Sequence, residues 1–292
     1  MKFEIDLQKL RLKKEQYAYI IIFLAVIFYL TLFFIYIFTP RPQRVTILNI
    51  NSPDSVIPVR DSIVTPVLYQ RIPELDTLNI LDRKKKFIEV ILPTSLLAQE
   101  IIEDKKERII ELKNKKELTP EDSIFLNKML TRFKATNIDD LLSRIKPIPM
   151  SIVLAQASTE SAWGRSRFCR EANNLFGVWS FNKNEKRIPA GKRRDKKTIY
   201  LRNYDSPLES ILDYFYTIGR SNAFTDFRDI LDVSDNPYRL IWFLQNYSEK
   251  RLEYVITLRN IIEHNNLSRY DNYVLPEIDK NDKTWKKLVN RY

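Results

Sequence analysis

An uncharged, strongly apolar run from Tyr17 to Phe38 constrains the chain more than any other feature. At 1.5 Å per residue, a helix over this run is long enough to cross a hydrocarbon core about 30 Å thick. A secretory signal has a shorter apolar part and ends in small residues, whereas this run is followed by Thr39 and Pro40. The run therefore predicts one retained transmembrane helix, rather than a cleaved signal or a buried core helix.

The flanking charges predict the orientation of this helix. Cations are frequent before the run and sparse after it, where Arg41 and Arg44 are the nearest. Because short cytoplasmic flanks carry the excess of Lys and Arg, we expect residues 1–16 in the cytoplasm and the chain beyond Thr39 outside. The predicted location is the cytoplasmic membrane, single-pass, with the body on the periplasmic or extracellular side.

Composition narrows the function classes. The net charge of +11 predicts attraction to polyanions, and an extracytoplasmic body makes nucleic acid an unsuitable partner. One cysteine, Cys169, and one histidine, His264, leave no intramolecular disulfide and no Cys- or His-rich metal cluster. No cofactor and no metal are therefore predicted.

The rest of the chain divides by pattern. Frequent prolines predict an extended extracytoplasmic spacer over residues 39–82. Apolar residues at helical spacing predict a mainly α-helical domain over residues 83–275. Within it, short β-branched and aromatic runs between Val178 and Tyr204 predict a small two- or three-stranded β element. Residues 276–292 have a mixed pattern and are predicted to form a peripheral tail.

The stretch "QASTESAWGRSRFCREANNLFG" contains the candidate catalytic acid, Glu160. On a helix, Gln156, Glu160 and Trp163 fall on one side, at the end of an otherwise apolar segment. Burial and the negative end of the helix dipole both raise the pKa of a carboxyl group there, as a general acid requires. The residues alone leave open a plainer role, in which Glu160 is a capping partner or forms a salt bridge with Arg165 or Arg167.

The longer stretch "LAQASTESAWGRSRFCREANNLFGVWS" resembles the signature of the bacterial N-acetylglucosaminidase domains of glycoside hydrolase family 73. The segments "RNYDSPLESILDYF" and "NYSEKRLEYVITLR" resemble later blocks of the same domain. The likeness covers roughly Arg83 to Tyr270. With its apolar N-terminal run, the chain looks most like the Bax-like, membrane-anchored subgroup of this family.

The resemblance implies a lysozyme-like α+β domain in which a helical body and a small β-lobe wall a groove for a polysaccharide. It implies cleavage of the β-1,4 bond after N-acetylglucosamine in peptidoglycan glycan strands, with Glu160 as general acid. A tyrosine in a late family block corresponds to Tyr247, with Tyr254 as the second aromatic residue. That block departs from the family pattern, because Glu249, Lys250 and Arg251 replace its aspartate-containing middle.

The second catalytic group is not fixed by the sequence. Some members of the family supply it from the β-hairpin, where this chain offers Glu185 and Asp195, each of which also suits a solvated turn. Sugar binding requires aromatic platforms and amide hydrogen bonds. The predicted substrate-binding residues are Gln156, Trp163, Asn173, Asn174, Phe176, Trp179 and Tyr254.

Three functions agree with these features. The predicted one is a membrane-anchored endo-β-N-acetylglucosaminidase that acts on peptidoglycan. A lytic transglycosylase or muramidase of related fold is the first alternative, although the Asn-Asn-Leu-Phe-Gly segment differs from the block typical of transglycosylases. A non-catalytic wall-binding module is the second, although Glu160 is intact.

Overall fold

The computed structural model describes residues 14–39, 41–194 and 197–292, which form two compact units, one up to Pro42 and one from Gln43 to Tyr292. The first unit contains helix α1, Lys14–Phe38. In the described part of the chain, this is the one helix long and apolar enough to cross a membrane, and an N-terminal signal sequence has the same character. Of the predicted cytoplasmic segment, residues 1–13 lie outside the described residues.

The second unit is built around a long helix, α2, Ile80–Lys113. Asn79 caps its N-terminus, since the Asn79 side chain accepts hydrogen bonds from the backbone N–H groups of Leu81 and Asp82, both at 3.0 Å. The helix continues through Pro93, and its middle is buried on nearly every side. Extensive apolar burial therefore outweighs the backbone hydrogen bond that the proline removes.

The remaining helices pack around α2. The helix Pro120–Phe133 begins with a complete capping box formed by Thr119 and Asp122, with Pro120 at its first position. Two 3₁₀ segments, Ile241–Tyr247 and Leu267–Asn272, flank the helix Leu252–His264. The helices are α3 Pro120–Phe133, α4 Ile138–Arg144, α5 Met150–Ser161, α6 Arg167–Ala172, α7 Pro207–Arg220, α8 Thr225–Leu231, α9 Pro237–Leu240, α10 Leu252–His264 and α11 Lys283–Arg291.

Two small sheets complete the unit. Strands β1, Thr46–Leu48, and β2, Val67–Tyr69, pair in parallel, with Thr46 opposite Val67. Strands β3, Arg187–Arg194, and β4, Lys197–Arg202, form an antiparallel hairpin, which Trp179 extends by a bridge to Leu201. The predicted fold class, mainly α with one small β-lobe, is confirmed, and the hairpin is the predicted β element.

The segment predicted as an extended spacer, residues 39–82, is packed from Gln43 onwards. Val56, Tyr69 and Leu75 are buried in the core, and the Tyr69 hydroxyl accepts a hydrogen bond from the Ile57 backbone N–H at 2.9 Å. As the prolines predict, no α-helix forms between Gln43 and Asn79, and the segment contains one short 3₁₀ helix, Pro53–Ser55. The β-branched and aromatic residues between them nevertheless bury enough apolar surface to fix the segment against α2.

The segment predicted as a peripheral tail, residues 276–292, is also part of the core. Trp285 and Leu288 lie on one face of α11 and are buried, and the Trp285 indole donates a hydrogen bond to Asp104 of α2 at 2.8 Å. Gln43 pairs with Ile278 across a parallel bridge. The two ends of this unit therefore meet and support one another.

Candidate active site

Helix α5 carries Glu160 in its last turn. The helix ends at Ser161 because Ala162 and Trp163 both adopt left-handed backbone conformations, with φ of 51° and 58°. The Ser161 hydroxyl reinforces this end, since it accepts a hydrogen bond from the Gly164 N–H at 3.0 Å. The prediction that Trp163 shares a helical face with Glu160 is therefore wrong, because Trp163 lies beyond the end of the helix.

The Glu160 carboxyl group is partly buried and forms no ion pair among the described residues. Burial raises the pKa of Glu160, and a hydrogen bond from Tyr254 opposes part of that increase. Its two predicted alternative partners are engaged elsewhere, since Arg165 lies 3.5 Å from Asp76 and Arg167 lies 2.9 Å from Glu171. The salt-bridge role left open by the sequence is therefore wrong.

A buried amide connects two tyrosines behind Glu160. The Gln156 side chain, 0% exposed, donates a hydrogen bond from Nε2 to the Tyr254 hydroxyl at 3.0 Å and accepts one at Oε1 from the Tyr214 hydroxyl at 2.6 Å. Because the Tyr254 oxygen accepts from Gln156, its own proton is available to Glu160. The prediction that Gln156 contacts substrate does not fit this burial, and the structure gives Gln156 the position of a support for Tyr254.

Tyr247 belongs to the same aromatic cluster. Its half-buried ring stacks on Tyr254, with centroids 5.6 Å apart and planes 8° apart, and meets Tyr214 edge-on at 6.3 Å. Phe176 stacks on the other tyrosine, Tyr214, at 4.4 Å. Burial is the largest cause of the raised pKa values of Tyr247 and Tyr254. A neighbouring tyrosine raises each pKa further, and so does the nearby Glu160 carboxylate. Both phenols therefore stay protonated near neutral pH and act as donors rather than bases.

The Asn173-Asn174 turn fixes the loop between α6 and the hairpin. Asn174, 1% exposed, donates to the carbonyls of Val178 and Arg202 at 3.0 and 2.9 Å and accepts from the Val178 N–H. Asn173 ends α6 in a left-handed conformation and donates to the Tyr204 carbonyl at 3.1 Å. The substrate-binding role predicted for Asn174 does not fit, because all of its polar atoms already serve the loop.

Glu185 lies in an ion cluster at the base of the hairpin. Its Oε2 is 3.3 Å from Nε of Arg202, whose Nη1 is 2.8 Å from Asp213. The Tyr204 hydroxyl donates to the same Asp213 carboxylate at 2.7 Å. The other hairpin candidate, Asp195, lies outside the described residues. The Glu185 carboxylate is thus held by a cation, unlike that of Glu160.

The predicted aromatic platforms differ in accessibility. Trp163 packs edge-on against Phe87 with centroids 5.8 Å apart, and the Lys84 ammonium lies 5.0 Å from its ring centre. Trp179 is 44% exposed and Phe181 is 84% exposed, and their ring centroids are 6.1 Å apart. The sequence patterns described above do not single out Phe181. The signal for it is the i, i+2 spacing from Trp179 in an extended segment, which directs both rings to one face.

Several known proteins are similar to parts of this chain. Residues 136–267 match the glucosaminidase family described as mannosyl-glycoprotein endo-beta-N-acetylglucosaminidase. Protein bax of Escherichia coli is 25% identical over 154 residues, which cover 50% of this chain and 54% of that protein. Exo-glucosaminidase LytG of Bacillus subtilis is 24% identical over 212 residues, which cover 69% of this chain and 73% of that protein. The crystal structure of the catalytic domain of the Listeria monocytogenes autolysin Auto is 21% identical, with a TM-score of 0.36, and the match covers 56% of this chain and 95% of that one.

The matched residues 136–267 include the acid-bearing helix α5, the hairpin and the tyrosines of the cluster. The chain thus carries a domain similar to those of the glucosaminidase family, glycoside hydrolase family 73. The chain spans about half the length of protein bax, the first of these relatives.

Proposed function

We propose that the chain is a membrane-anchored peptidoglycan hydrolase that cleaves the β-1,4 bond after N-acetylglucosamine, with Glu160 as general acid. One observation carries the proposal: Glu160 is partly buried at the end of α5, receives a hydrogen bond from Tyr254, and forms no ion pair among the described residues. A carboxyl group in this setting retains its proton to higher pH than an exposed one. It can therefore donate that proton to a departing sugar oxygen.

The proposed step moves one proton and one electron pair. As the bond between the anomeric carbon and the glycosidic oxygen breaks, the electron pair stays on the oxygen, which takes the proton of Glu160. The carboxylate that forms is stabilised by the Tyr254 hydroxyl, whose orientation Gln156 maintains. Tyr247, stacked on Tyr254, is proposed as a donor at the groove side of the cluster.

The group that completes the reaction at the anomeric carbon is proposed to be other than Glu185. An inverting reaction requires a free carboxylate base, and a retaining one requires a nucleophile or the acetamido oxygen of the substrate. Glu185 is held by Arg202 at 3.3 Å, which disfavours both roles. Asp195 and the acetamido group of the substrate remain as candidates for the base or nucleophile.

The substrate class rests on the family and on the surface. The related protein LytG is named an exo-glucosaminidase, and the family description names an endo-β-N-acetylglucosaminidase. The exposed pair Trp179 and Phe181 offers two adjacent aromatic faces on which sugar rings can stack. Asn173, Phe176 and Trp163 are proposed to shape the groove around the cluster rather than to contact the reacting bond. The net charge of +11 suits a glycan that carries peptide carboxylates.

Membrane anchoring is proposed from α1. Its apolar window, Gln16–Phe34, is long enough to span and is unburied. With the basic N-terminal flank in the cytoplasm, the catalytic unit faces the periplasmic or extracellular side. Fractionation of cells that express the full chain tests this proposal: we expect the intact chain in the carbonate-washed membrane fraction. A soluble product shortened by the length of α1 would show that the segment is a cleaved signal instead.

Mass spectrometry of the fragments released from purified peptidoglycan tests the reaction, with Glu160→Gln as the inactive control. We expect fragments with N-acetylglucosamine at the reducing end. Reducing-end N-acetylmuramic acid would identify a muramidase, and anhydro-muramic ends would identify a lytic transglycosylase. Release of long oligosaccharides at early times is expected for endo cleavage, whereas single sugars would show exo cleavage. Equal release by wild type and Glu160→Gln would remove Glu160 from the mechanism.

A further inference from the structure

The turn after Glu160 brings a tryptophan against a partly buried lysine. Trp163 is three residues beyond the acid, and its N–H donates to the Ser158 carbonyl of α5 at 2.9 Å. Three residues span at most about 11 Å, so the Trp163 backbone lies within that distance of the Glu160 backbone. The Lys84 ammonium of α2 lies 5.0 Å from the centre of the Trp163 ring. Lys84 is therefore a neighbour of the turn that follows the acid.

Two neutral groups hold the Lys84 ammonium in place. It donates a hydrogen bond to Oδ1 of Asn265 at 2.8 Å, and the Asn265 amide donates to the Ile261 carbonyl at 2.8 Å at the end of α10. The second group, the Trp163 ring, is itself packed edge-on against Phe87. A lysine fixed in this way has already lost much of its rotamer freedom, so less entropy is lost when a ligand binds to it.

No acid neutralises this charge within the described residues. Lys84 and the preceding Arg83 are both partly buried and form no ion pair there, and the Arg83 Nε is buried without a hydrogen-bond partner. Lys86 of the same turn, by contrast, lies 3.2 Å from a carboxylate oxygen of Glu89. Cations that are withdrawn from water are usually paired with an anion. This part of α2 therefore favours an anionic ligand.

The proposed reaction places a sugar that carries anions on the same side. Glu160 is proposed to give its proton to the oxygen that leaves with the next sugar. Where the bond after N-acetylglucosamine is cleaved, that sugar is N-acetylmuramic acid, whose stem peptide carries free carboxylates. The stem peptide therefore begins on the sugar that accepts the proton of Glu160, which brings its carboxylates towards the turn around Trp163.

We propose that Lys84 binds a carboxylate of this stem peptide and makes the hydrolase selective for glycan that still carries its peptides. The proposal rests on the proposed function and adds a specificity-determining residue to it. An ammonium group has three N–H donors, of which Asn265 uses one, so two remain for carboxylate oxygens. The Trp163 ring keeps water from one side of the ammonium, which strengthens its attraction to a carboxylate.

Two forms of one substrate test the proposal. Soluble, uncrosslinked glycan strands are first acetylated on their free amines, and half of the sample is then coupled to methylamine, which converts the stem carboxylates to neutral amides. We expect the wild type to cleave the carboxylate form with a kcat/KM about tenfold higher than the amide form, mainly through KM, because a hydrogen bond between charged groups contributes a factor of about that size. Lys84→Gln should remove most of this preference, and Lys84→Arg, which keeps the charge, should retain most of it.

Lys85→Gln is the matched control, because it removes the same charge from the next residue, which is exposed. It should keep the preference, which separates a contact by Lys84 from the general attraction of a chain with a net charge of +11. Three results would overturn the proposal: equal cleavage of the two forms by the wild type, an undiminished preference in Lys84→Gln, or an equal loss of preference in Lys84→Gln and Lys85→Gln.

The outcome is separable from that of the proposed function. Lys84→Gln should lose much more activity on the carboxylate form than on the amide form, whereas Glu160→Gln should cleave neither. Failure of the wild type to cleave either form would contradict the proposed function. The role of Lys84 is then tested by calorimetric titration of Glu160→Gln with the two forms. We expect tighter binding of the carboxylate form, which is lost when Lys84→Gln is added, and equal affinity for both forms would contradict that role.

Discussion

Two glutamates in the part of the chain that matches the family show how environment separates residues of identical chemistry. Glu160 ends a buried helix, receives a hydrogen bond from a phenol, and forms no ion pair among the described residues. Glu185 is 3.3 Å from a guanidinium that also binds Asp213 at 2.8 Å. A carboxyl group that is desolvated without a cation beside it favours its protonated form. The difference teaches that the partners of a carboxylate favour one candidate acid over another, even where the sequence offers both.

The largest expected effect separates these two residues directly. Glu160→Gln should lower kcat on purified peptidoglycan by about 10²- to 10⁴-fold, because general acid catalysis supplies a factor of that size. Glu185→Gln should lower it by less than about tenfold, since its carboxylate serves the hairpin. Initial rates of dye release from labelled peptidoglycan, with circular dichroism as a folding check, measure both. Similar losses in the two variants would break the comparison.

The next effect concerns the buried support behind Glu160. Gln156→Leu should lower the free energy of unfolding by roughly 2 to 4 kcal/mol, because the buried hydroxyls of Tyr214 and Tyr254 both lose their amide partner. Urea denaturation measures the change, and Gln245→Leu, at an exposed glutamine, is the control that should change it little. An unfolding free energy equal to that of the wild type would show that the amide contributes nothing.

A smaller effect concerns the pKa of the acid. Tyr254→Phe keeps the stacked ring but removes the hydrogen bond that favours ionised Glu160, so the pKa of Glu160 should rise further. Because activity requires protonated Glu160, the alkaline limb of kcat/KM should move to higher pH, while kcat falls about tenfold. Tyr273→Phe, which removes a hydroxyl distant from the cluster, is the control. An alkaline limb that stays in place, or moves to lower pH, would contradict the proposed hydrogen bond.

The smallest effect is on stability as a function of pH. The pKa of Glu160 is higher in the folded chain than in the unfolded chain, where it is about 4.3. At pH values between these two pKa values, the native state therefore binds more protons than the unfolded state does. Stability therefore falls as pH rises through this interval. Glu160→Gln should therefore melt above the wild type at pH 7 and match it at pH 4. Differential scanning calorimetry at both pH values measures this, and a gain of equal size at pH 4 would exclude titration as its cause.

Local sequence signals predicted much of the fold. The Thr119 cap, the hairpin after Val178 and the placement of Glu160 at a helix end follow from neighbouring residues alone. The packed segment from Gln43 and the buried helix α11 do not, because their order comes from contacts between distant parts of the chain. The Val64 N–H, for example, bonds the Val274 carbonyl at 2.8 Å. No periodicity within either segment encodes that partner.

The candidate site was predictable in part for similar reasons. Helical spacing placed Gln156 on the Glu160 side of α5, but its burial depends on Tyr214 from α7 and Tyr254 from α10. Spacing also placed Trp163 on that face, and it failed because Ala162 ends the helix with a positive φ that is uncommon for alanine. Sequence thus singled out Glu160 as the candidate acid, whereas tertiary contacts determined what surrounds it.

The proton on Glu160 is the central claim, and a carboxyl ¹³C NMR titration of glutamate-labelled protein tests it most directly. Comparison with Glu160→Gln identifies the Glu160 resonance, and Glu185→Gln identifies that of the hairpin glutamate. We expect the Glu160 resonance to titrate above the ordinary glutamate value of about 4.3 and to shift higher still in Tyr254→Phe. A Glu160 resonance that titrates at or below that value would contradict the account.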